Sequence, residues 1–293
     1  MELSWNITYR GPLDSCNYDC SYCPFGKRRN SREELARDAR MLERFVEWVH
    51  GYRRARIGIL FTPWGEAMIH PPYQQAMVTL SRLPHVQRVA IQTNLAGPVS
   101  WLAAADLTRV ALWATFHPTQ VETDRFLARC HELDQLGVRY SVGLVGRREH
   151  LDAMEILRAR LAPGVYLWVN AYKDEPHYYD AATVERITAV DPLFEYNLTA
   201  HASRGRACFA GETSFAVDGE GGMYRCHFLR APLGNLYRDD PAQLLAPRPC
   251  PRGHCTCHIG YVNLKHLRLA DRFGDDLLAR IPRTEAWAPS GIA

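Results

Sequence analysis

Residues 16–23 read Cys16-Asn17-Tyr18-Asp19-Cys20-Ser21-Tyr22-Cys23, which is a C-x3-C-x2-C triplet. It follows residues 3–9, an apolar run that predicts a first β-strand. Thiolates are soft ligands that suit iron–sulfur clusters and zinc. Three thiolates on a four-iron cluster leave one iron open, and a cofactor-activating cluster needs such a position. A structural zinc site is the alternative, but zinc usually takes four protein ligands in paired spacings, which a lone triplet fits poorly.

Downstream of the triplet, short apolar strands alternate with helical patterns. Strands are predicted at 3–9, 57–62, 86–93, 110–116, 139–145 and 165–170, and helices at 31–50, 73–81, 101–105, 119–136, 149–161 and 182–190. Six βα units indicate an α/β fold with a parallel sheet. Because there are six units rather than eight, we predict an open, partial (β/α)6 TIM-like barrel. Its chemistry is expected at the C-terminal ends of the strands.

The composition changes at about residue 196, where Gly, Pro and Cys become frequent. Segments 213–217 and 223–226 flank Asp-Gly-Glu-Gly-Gly at 218–222, which predicts a β-hairpin. Five further cysteines lie in this region: Cys208, Cys226, Cys250, Cys255 and Cys257. We therefore predict a barrel over 1–195, a small cluster-binding module of hairpin and helix over 196–275, and a weakly structured tail over 276–293.

Composition excludes several classes of function. The net charge is only +3, and the basic run Lys27-Arg28-Arg29 is too short to indicate a nucleic-acid partner. No run of roughly eighteen apolar residues is present, and residues 1–10 lack the apolar stretch of a signal peptide. We expect a cytoplasmic protein that binds neither membrane nor nucleic acid. Nine cysteines in such a chain favour metal binding or catalysis over disulfides.

The triplet, with the aromatic Tyr22 just before its last cysteine, resembles the signature of the radical S-adenosylmethionine (SAM) superfamily. In that family SAM chelates the open iron of a [4Fe–4S] cluster. One electron then cleaves the sulfonium, and the resulting 5′-deoxyadenosyl radical abstracts hydrogen from a substrate. The resemblance covers about residues 3–190 and implies that Cys16, Cys20 and Cys23 hold this cluster.

Weaker marks follow at successive strand ends. Trp64-Gly65-Glu66 is similar to the family's Gly-Gly-Glu motif, with Trp64 in place of the first Gly. Residues 144–149 resemble its adenine-contacting Gly-x-Ile-x-Gly-x-x-Glu motif, with Val142 in place of the first Gly. The resemblance implies that SAM is contacted by these residues: Tyr22, Trp64, Gly65, Glu66, Thr93, Asn94, Thr115, Leu144, Gly146 and Asn170.

The second group of cysteines is similar to the auxiliary-cluster modules called twitch and SPASM, and the chain length favours the shorter twitch form with one [4Fe–4S] cluster. Within this group, the ligand assignment is clearer for Cys208 and Cys226 than for the other three cysteines. Which two of Cys250, Cys255 and Cys257 complete the set stays open, and the remaining thiol could be free or catalytic. A zinc knot is the alternative. An auxiliary cluster could bind substrate or accept an electron, and the latter implies a net two-electron oxidation.

The arrangement resembles twitch-type dehydrogenases of aminocyclitols, SPASM-type enzymes that modify peptides or mature sulfatases, and a small bacterial radical SAM family. We predict SAM cleavage and hydrogen abstraction from a small molecule or peptide, with an electron donor such as flavodoxin or ferredoxin. An iron–sulfur electron carrier or sensor without SAM cleavage is the alternative. His117 is the first candidate substrate contact. Lower-ranked candidates are Tyr172, Lys173 and Arg204. The sequence assigns neither substrate nor oligomeric state.

Overall fold

The computed structural model describes residues 3–283. Six strands follow one another in a parallel sheet, in sequence order: β1 Leu3–Arg10, β2 Ala55–Phe61, β3 Val86–Thr93, β4 Val110–Thr115, β5 Arg139–Val145 and β6 Leu167–Asn170. The connections contain α1 Arg32–Gly51, α2 Pro71–Ser81, a 3₁₀ helix Ser100–Ala104, α3 Thr123–Leu136, α4 Leu151–Arg160 and α5 Ala181–Val190. The predicted α/β class and parallel sheet are confirmed. The partial barrel and the domain bounds remain predictions.

Local sequence signals explain where α1 begins. Ser31 and Glu34 form the capping box, in which the Ser31 hydroxyl accepts from the Glu34 amide and the Glu34 carboxylate accepts from the Ser31 amide. The buried residues Leu42, Phe45 and Val49 lie on one face of the helix. This face packs against the sheet and holds α1 beside β1.

The last third of the chain adds short elements: α6 Phe194–Leu198, β7 His201–Ala202, β8 Ala207–Cys208, β9 Ser214–Asp218, β10 Gly222–Tyr224, β11 Pro232–Asn235, α7 Pro241–Leu244, β12 Arg248–Pro249, β13 His254–Cys255, α8 His258–Tyr261 and α9 Leu269–Phe273. β9 and β10 pair antiparallel around the predicted hairpin turn. β9 also pairs in parallel with β1, so the sheet continues as β1-β9-β10-β11 and has nine strands within residues 3–283.

The two faces of the sheet are covered by different parts of the chain. Side chains such as Ile7, Ile59 and Val142 face the helices in one large core. The opposite face, which includes Trp113 and Trp168, is covered by the C-terminal segment 255–281. Alternation along each strand therefore places polar residues at the strand ends on this second face.

Part of the segment predicted as a tail belongs to this second core. Leu278, Ala279 and Arg280 are buried, and the Ser141 hydroxyl of β5 donates to the Ala279 carbonyl at 2.8 Å. Asp276 pairs with Arg88 of β3 and Arg139 of β5. The rest of the predicted tail, 284–293, lies outside the described residues.

Candidate cluster and cofactor site

The first cysteine group, Cys16, Cys20 and Cys23, lies in the loop between β1 and α1. The loop folds back on itself, because the Cys23 amide donates to the Cys20 carbonyl at 3.1 Å and Lys27 Nζ donates to the same carbonyl at 2.6 Å. Gly26 has a φ of +62°, and a Cβ there would stand 2.8 Å from the Cys16 Cβ. This turn therefore needs glycine to bring the two arms of the loop together.

The three thiols lie close enough for their charges to interact. Burial, together with the charges of Cys23 and Cys16, raises the pKa of Cys20 to about 11 against the opposing hydrogen bond of Tyr22. Burial also raises the pKa of Cys16, and Glu66 and Cys23 add to that effect. Both thiols are therefore protonated at neutral pH without a bound metal, and metal binding must displace their protons.

Glu66 joins the ends of β2 and β3 to this loop. Its carboxylate is buried and accepts from the Thr93 hydroxyl at 2.8 Å, the Asn94 amide at 2.5 Å and the Met68 amide at 3.0 Å. Burial raises the pKa of Glu66 to about 7, against the opposing effect of these hydrogen bonds. Glu66, itself a predicted SAM contact, therefore holds two other predicted contacts, Thr93 and Asn94, in place.

Asn94 and Gly65 provide the contact with the cysteine loop. Asn94 Nδ2 lies 2.9 Å from Asn17 Oδ1 and 3.8 Å from Cys16 Sγ. The Glu66 amide donates to the Ser15 carbonyl at 3.1 Å, and a Cβ at Gly65 would lie only 1.8 Å from that oxygen. The structure therefore brings the Gly65-Glu66 and Thr93-Asn94 motifs against the residues that flank Cys16.

His117 lies on the other side of the cysteine loop. Its Nδ1 is 3.3 Å from Cys20 Sγ and 3.1 Å from the Tyr22 hydroxyl. Burial lowers the pKa of His117 to about 4, and the charge of His150 adds to this. The imidazole is therefore neutral at pH 7. His150, whose ring packs edge-on against Tyr22 at 5.2 Å between centroids, was not singled out from the sequence.

The predicted contacts on β5 and β6 form a separate group. The Gly146 amide donates to the Asn170 carbonyl at 2.8 Å, and Asn170 Oδ1 accepts from Arg280 Nη1 at 2.9 Å. Leu144 is fully buried in the core shared with the helices. Its side chain therefore belongs neither to the residues around the first cysteine group nor to the Gly146–Asn170 group. Arg280 was missed in the sequence because it lies in the segment predicted as a tail.

Trp64 and Thr115 complete the set of predicted SAM contacts. The Trp64 side chain is half-exposed, and the Arg10 guanidinium lies 4.0 Å from the centroid of its ring. Thr115 ends β4 opposite Gly143 of β5, where the side chain is partly exposed on the sheet face that the C-terminal segment covers.

The second cysteine group gathers around the short pairs β8–β12 and β7–β13. Burial raises the pKa values of Cys208 and Cys226, and the charge of Cys250 adds to both. Burial raises the pKa of Cys255 to about 12, with further contributions from the other four thiols. Cys255 is therefore close to the other four thiols, with Cys257 contributing most, and Cys250 is close to Cys208 and Cys226.

Cys257 reaches a different environment. Burial lowers the pKa values of Arg10 and Lys173, and the nearby charge of Cys257 raises both again in part. The Lys173 ammonium donates to the carbonyl of the adjacent Thr256 at 2.6 Å. Cys257 therefore lies between the other four thiols and cationic side chains at the ends of β1 and β6.

Both groups have the donor chemistry of iron–sulfur ligands, with three thiols in the first and five in the second. Within residues 3–283, no three His, Cys, Asp or Glu side chains are arranged around a single metal ion. No helix in the described part of the chain is long and apolar enough to cross a membrane.

Comparison with known proteins gives matches at the level of structure. No protein-family model matches the chain, and no curated protein matches its sequence. The chain is similar to SuiB of Streptococcus suis at 13% identity and a TM-score of 0.54, covering 84% of this chain and 66% of that one. It is also similar to anSMEcpe with bound AdoMet, at 14% identity and a TM-score of 0.56, covering 98% of this chain and 92% of that one.

A third similar structure is anSMEcpe with bound AdoMet and Cp18Cys peptide, at 12% identity and a TM-score of 0.55, with the same coverage of 98% and 92%. At such identities the likeness concerns the fold alone. SuiB and anSMEcpe are radical SAM enzymes. The chain therefore has the fold of radical SAM enzymes.

Proposed function

We propose that this chain is a radical SAM enzyme that cleaves SAM reductively and abstracts hydrogen from a substrate. One observation carries the proposal. The C-x3-C-x2-C loop after β1 is bonded to the Gly65-Glu66 and Thr93-Asn94 motifs at the next two strand ends. The fold shared with AdoMet-bound structures supports it. When bound, the cluster and SAM supply a carbon-centred radical.

The chain's own residues hold and orient these groups. Cys16, Cys20 and Cys23 provide three thiolates once their protons are displaced. Glu66 fixes the side chain of Thr93 and the backbone of Asn94, so that their polar atoms stay beside the cysteine loop. The neutral His117 accepts or donates one hydrogen bond between Cys20 and Tyr22 and keeps that side of the loop in place.

We further propose that Cys208, Cys226, Cys250 and Cys255 bind an auxiliary [4Fe–4S] cluster in a twitch-like module. Cys250 acts on Cys208 and Cys226, and all three act on Cys255, which supports this choice. Cys257 also acts on Cys255, but it lies beside Arg10 and Lys173 and is left outside the set. Arg225 and Arg252, which act on Cys226, would offset the negative charge of such a cluster. The substrate is a small molecule or peptide, and the electron donor is a flavodoxin or ferredoxin.

The test is 5′-deoxyadenosine formation by the anaerobically reconstituted protein with dithionite as reductant. Cys20→Ala should abolish it, because loss of one of three ligands opens the cluster to degradation. Cys130→Ala is the matched control, since Cys130 is buried inside α3 and belongs to neither group. Retained formation in Cys20→Ala would contradict the ligand assignment.

The alternative of an electron carrier or sensor is tested on the same sample. SAM should change the electron paramagnetic resonance spectrum of the reduced cluster if it chelates the open iron. A reduced cluster whose spectrum is identical with and without SAM would overturn the enzyme proposal in favour of the carrier.

A further inference from the structure

A cleft of about 600 Å³ lies beside β1, between the loop that follows this strand, α1 and the β9–β10 hairpin. Its volume is in the range of small-molecule sites. Its lining includes Arg10, Trp64, His227 and Arg230. None of Cys16, Cys20, Cys23, Glu66, Thr93 or Asn94 lines it. The cleft therefore adjoins the proposed SAM site at Trp64 without being part of it.

The acidic groups of the cleft are already used within the protein. Asp218 Oδ1 accepts from the amides of Glu220 and Gly222, and its Oδ2 accepts from the Tyr224 hydroxyl at 3.0 Å. Glu220 pairs with Arg37 at 2.7 Å. The Glu220 charge is therefore balanced by Arg37, whereas Asp218 keeps its negative charge and offsets one of the two remaining arginines, Arg10 and Arg230.

Two arginines of the cleft lack such a balance. Among residues 3–283, no carboxylate lies within ion-pair distance of Arg10, and Arg230 has neither an ion pair nor a hydrogen bond from its side chain. Burial lowers the pKa of Arg10 to about 10, which still leaves it charged at pH 7. The cleft thus has an excess of positive charge.

Arg10 is also held in a fixed orientation. Its Nε donates to the Thr62 carbonyl at 2.7 Å and its Nη2 to the Thr62 hydroxyl at 3.1 Å, while the Trp64 ring packs against the guanidinium. Thr62 in turn donates to Gln92 Oε1 at 2.5 Å. These bonds leave Nη1 free to donate. A charged donor that is fixed before binding loses little conformational entropy when it meets an anion.

We propose that this cleft binds an oxyanion of the substrate, a carboxylate or phosphate group, through Arg10 and Arg230. The proposal rests on the proposed function, because it assigns the substrate of that enzyme to an anionic class. The apolar surfaces of Trp64, Met41 and Leu229 bind the remainder of the small molecule. Recognition by a charged, pre-oriented donor gives a stronger hydrogen bond than recognition by a neutral one.

The test measures binding of two anions, inorganic phosphate and succinate, to the reconstituted protein by isothermal titration calorimetry at constant ionic strength. Arg10→Gln should weaken binding by about tenfold or more, and Arg230→Gln by a smaller factor. Glu220→Gln should strengthen it, because Arg37 then adds its charge to the cleft. Arg53→Gln is the matched control, since it removes an exposed arginine outside the cleft. The better-bound anion distinguishes phosphate from carboxylate recognition.

Equal affinity in wild type and Arg10→Gln would overturn the proposal, and so would a wild-type protein that binds neither anion. A weaker affinity for SAM in Arg10→Gln would assign Arg10 to the cofactor's carboxylate and would also overturn it. Arg230→Gln keeps the test valid if Arg10→Gln fails to fold. Anion binding without 5′-deoxyadenosine formation in the wild type would support the anion site and contradict the proposed function instead.

Discussion

Asp38 shows how a single buried carboxyl sets a pH dependence of stability. It lies on α1, and its Oδ1 accepts from the Leu13 amide and the Tyr73 hydroxyl, both at 3.2 Å. Burial raises the pKa of Asp38 to about 6, although both hydrogen bonds act in the opposite direction. The folded protein therefore binds a proton at this position more tightly than the unfolded chain does.

The contribution of Asp38 to stability is complete below about pH 4 and is lost as the pH rises through about 6, a difference of up to about 3 kcal/mol. Relative to Asp38→Asn, the free energy of unfolding of the wild type should fall across this window. Urea unfolding at pH 4, 5 and 7 measures the difference, with the exposed Asp271→Asn as control. A wild-type minus Asp38→Asn difference that is flat with pH would contradict this assignment.

Gly65 gives a second prediction at the residue scale. A Cβ at this position would lie 1.8 Å from the backbone oxygen of Ser15, so Gly65→Ala must push the cysteine loop away from β2. We expect severalfold less iron bound at the first cysteine group and a matching loss of 5′-deoxyadenosine. At Gly164 a Cβ would meet nothing within 4 Å, so Gly164→Ala should leave both unchanged. Equal iron contents in the two variants would show that the loop tolerates displacement.

Individual residues of the site differ in how far the sequence could reveal them. The cysteine triplet and Gly65-Glu66 are local patterns, so they could be located before the fold was known. Arg280 and the orientation of Cys257 could not, because each depends on residues far away in the chain. Arg280 is defined by its bond to Asn170, and Cys257 by its proximity to Arg10.

At the scale of elements, the predictions of strands and helices agree with the structure where periodicity was strong. The six βα units each present an apolar face, so their bounds are local properties of the sequence. The sequence predicts a weakly structured tail from residue 276, although 276–283 includes the apolar residues Leu277, Leu278, Ala279 and Ile281. Its burial depends on Arg88 and Arg139, which lie on two strands of the distant sheet.

This C-terminal segment should stabilise the sheet through Asp276. The Arg88–Asp276 pair joins Nη2 to Oδ1 at 2.7 Å, with only 6% and 11% of the two side chains exposed. Asp276→Ala leaves two arginines without their partner and should cost about 3–5 kcal/mol of unfolding free energy. The Arg268–Asp271 pair is 81% and 62% exposed, so Asp271→Ala should cost less than about 1 kcal/mol.

Chemical denaturation of both variants at pH 7 measures the two costs. Similar losses of stability in Asp276→Ala and Asp271→Ala would mean that the C-terminal segment packs only loosely on the sheet.

At the scale of the whole molecule, two cysteine groups imply two clusters that can be removed separately. The reconstituted wild type should hold about eight irons per chain, and Cys16/Cys20/Cys23→Ala about four, as thiolate ligation implies. Cys208/Cys226/Cys250→Ala should also hold about four. Cys257→Ala should keep all eight, because its thiol lies outside the proposed ligand set. Iron and sulfide analysis gives these numbers.

About four irons in the wild type, falling to none without the first cysteine group, would remove the auxiliary cluster from the proposal. A loss of about four irons in Cys257→Ala would instead show that Cys257 is a cluster ligand and that one of the four proposed ligands is not.

The parallel pairing of β1 with β9 has a consequence for synthesis in the cell. Asn6 of β1 lies opposite Ser214 of β9, so β1 leaves the ribosome about 200 residues before its second neighbour does. Until then one edge of β1 and the sheet face bearing Trp113 and Trp168 are uncovered. Such long-range pairing is slow, and uncovered strand edges bind other chains. The nascent chain is therefore prone to aggregation until the last third has been translated. We expect it to bind chaperones less once residue 281 has left the ribosome.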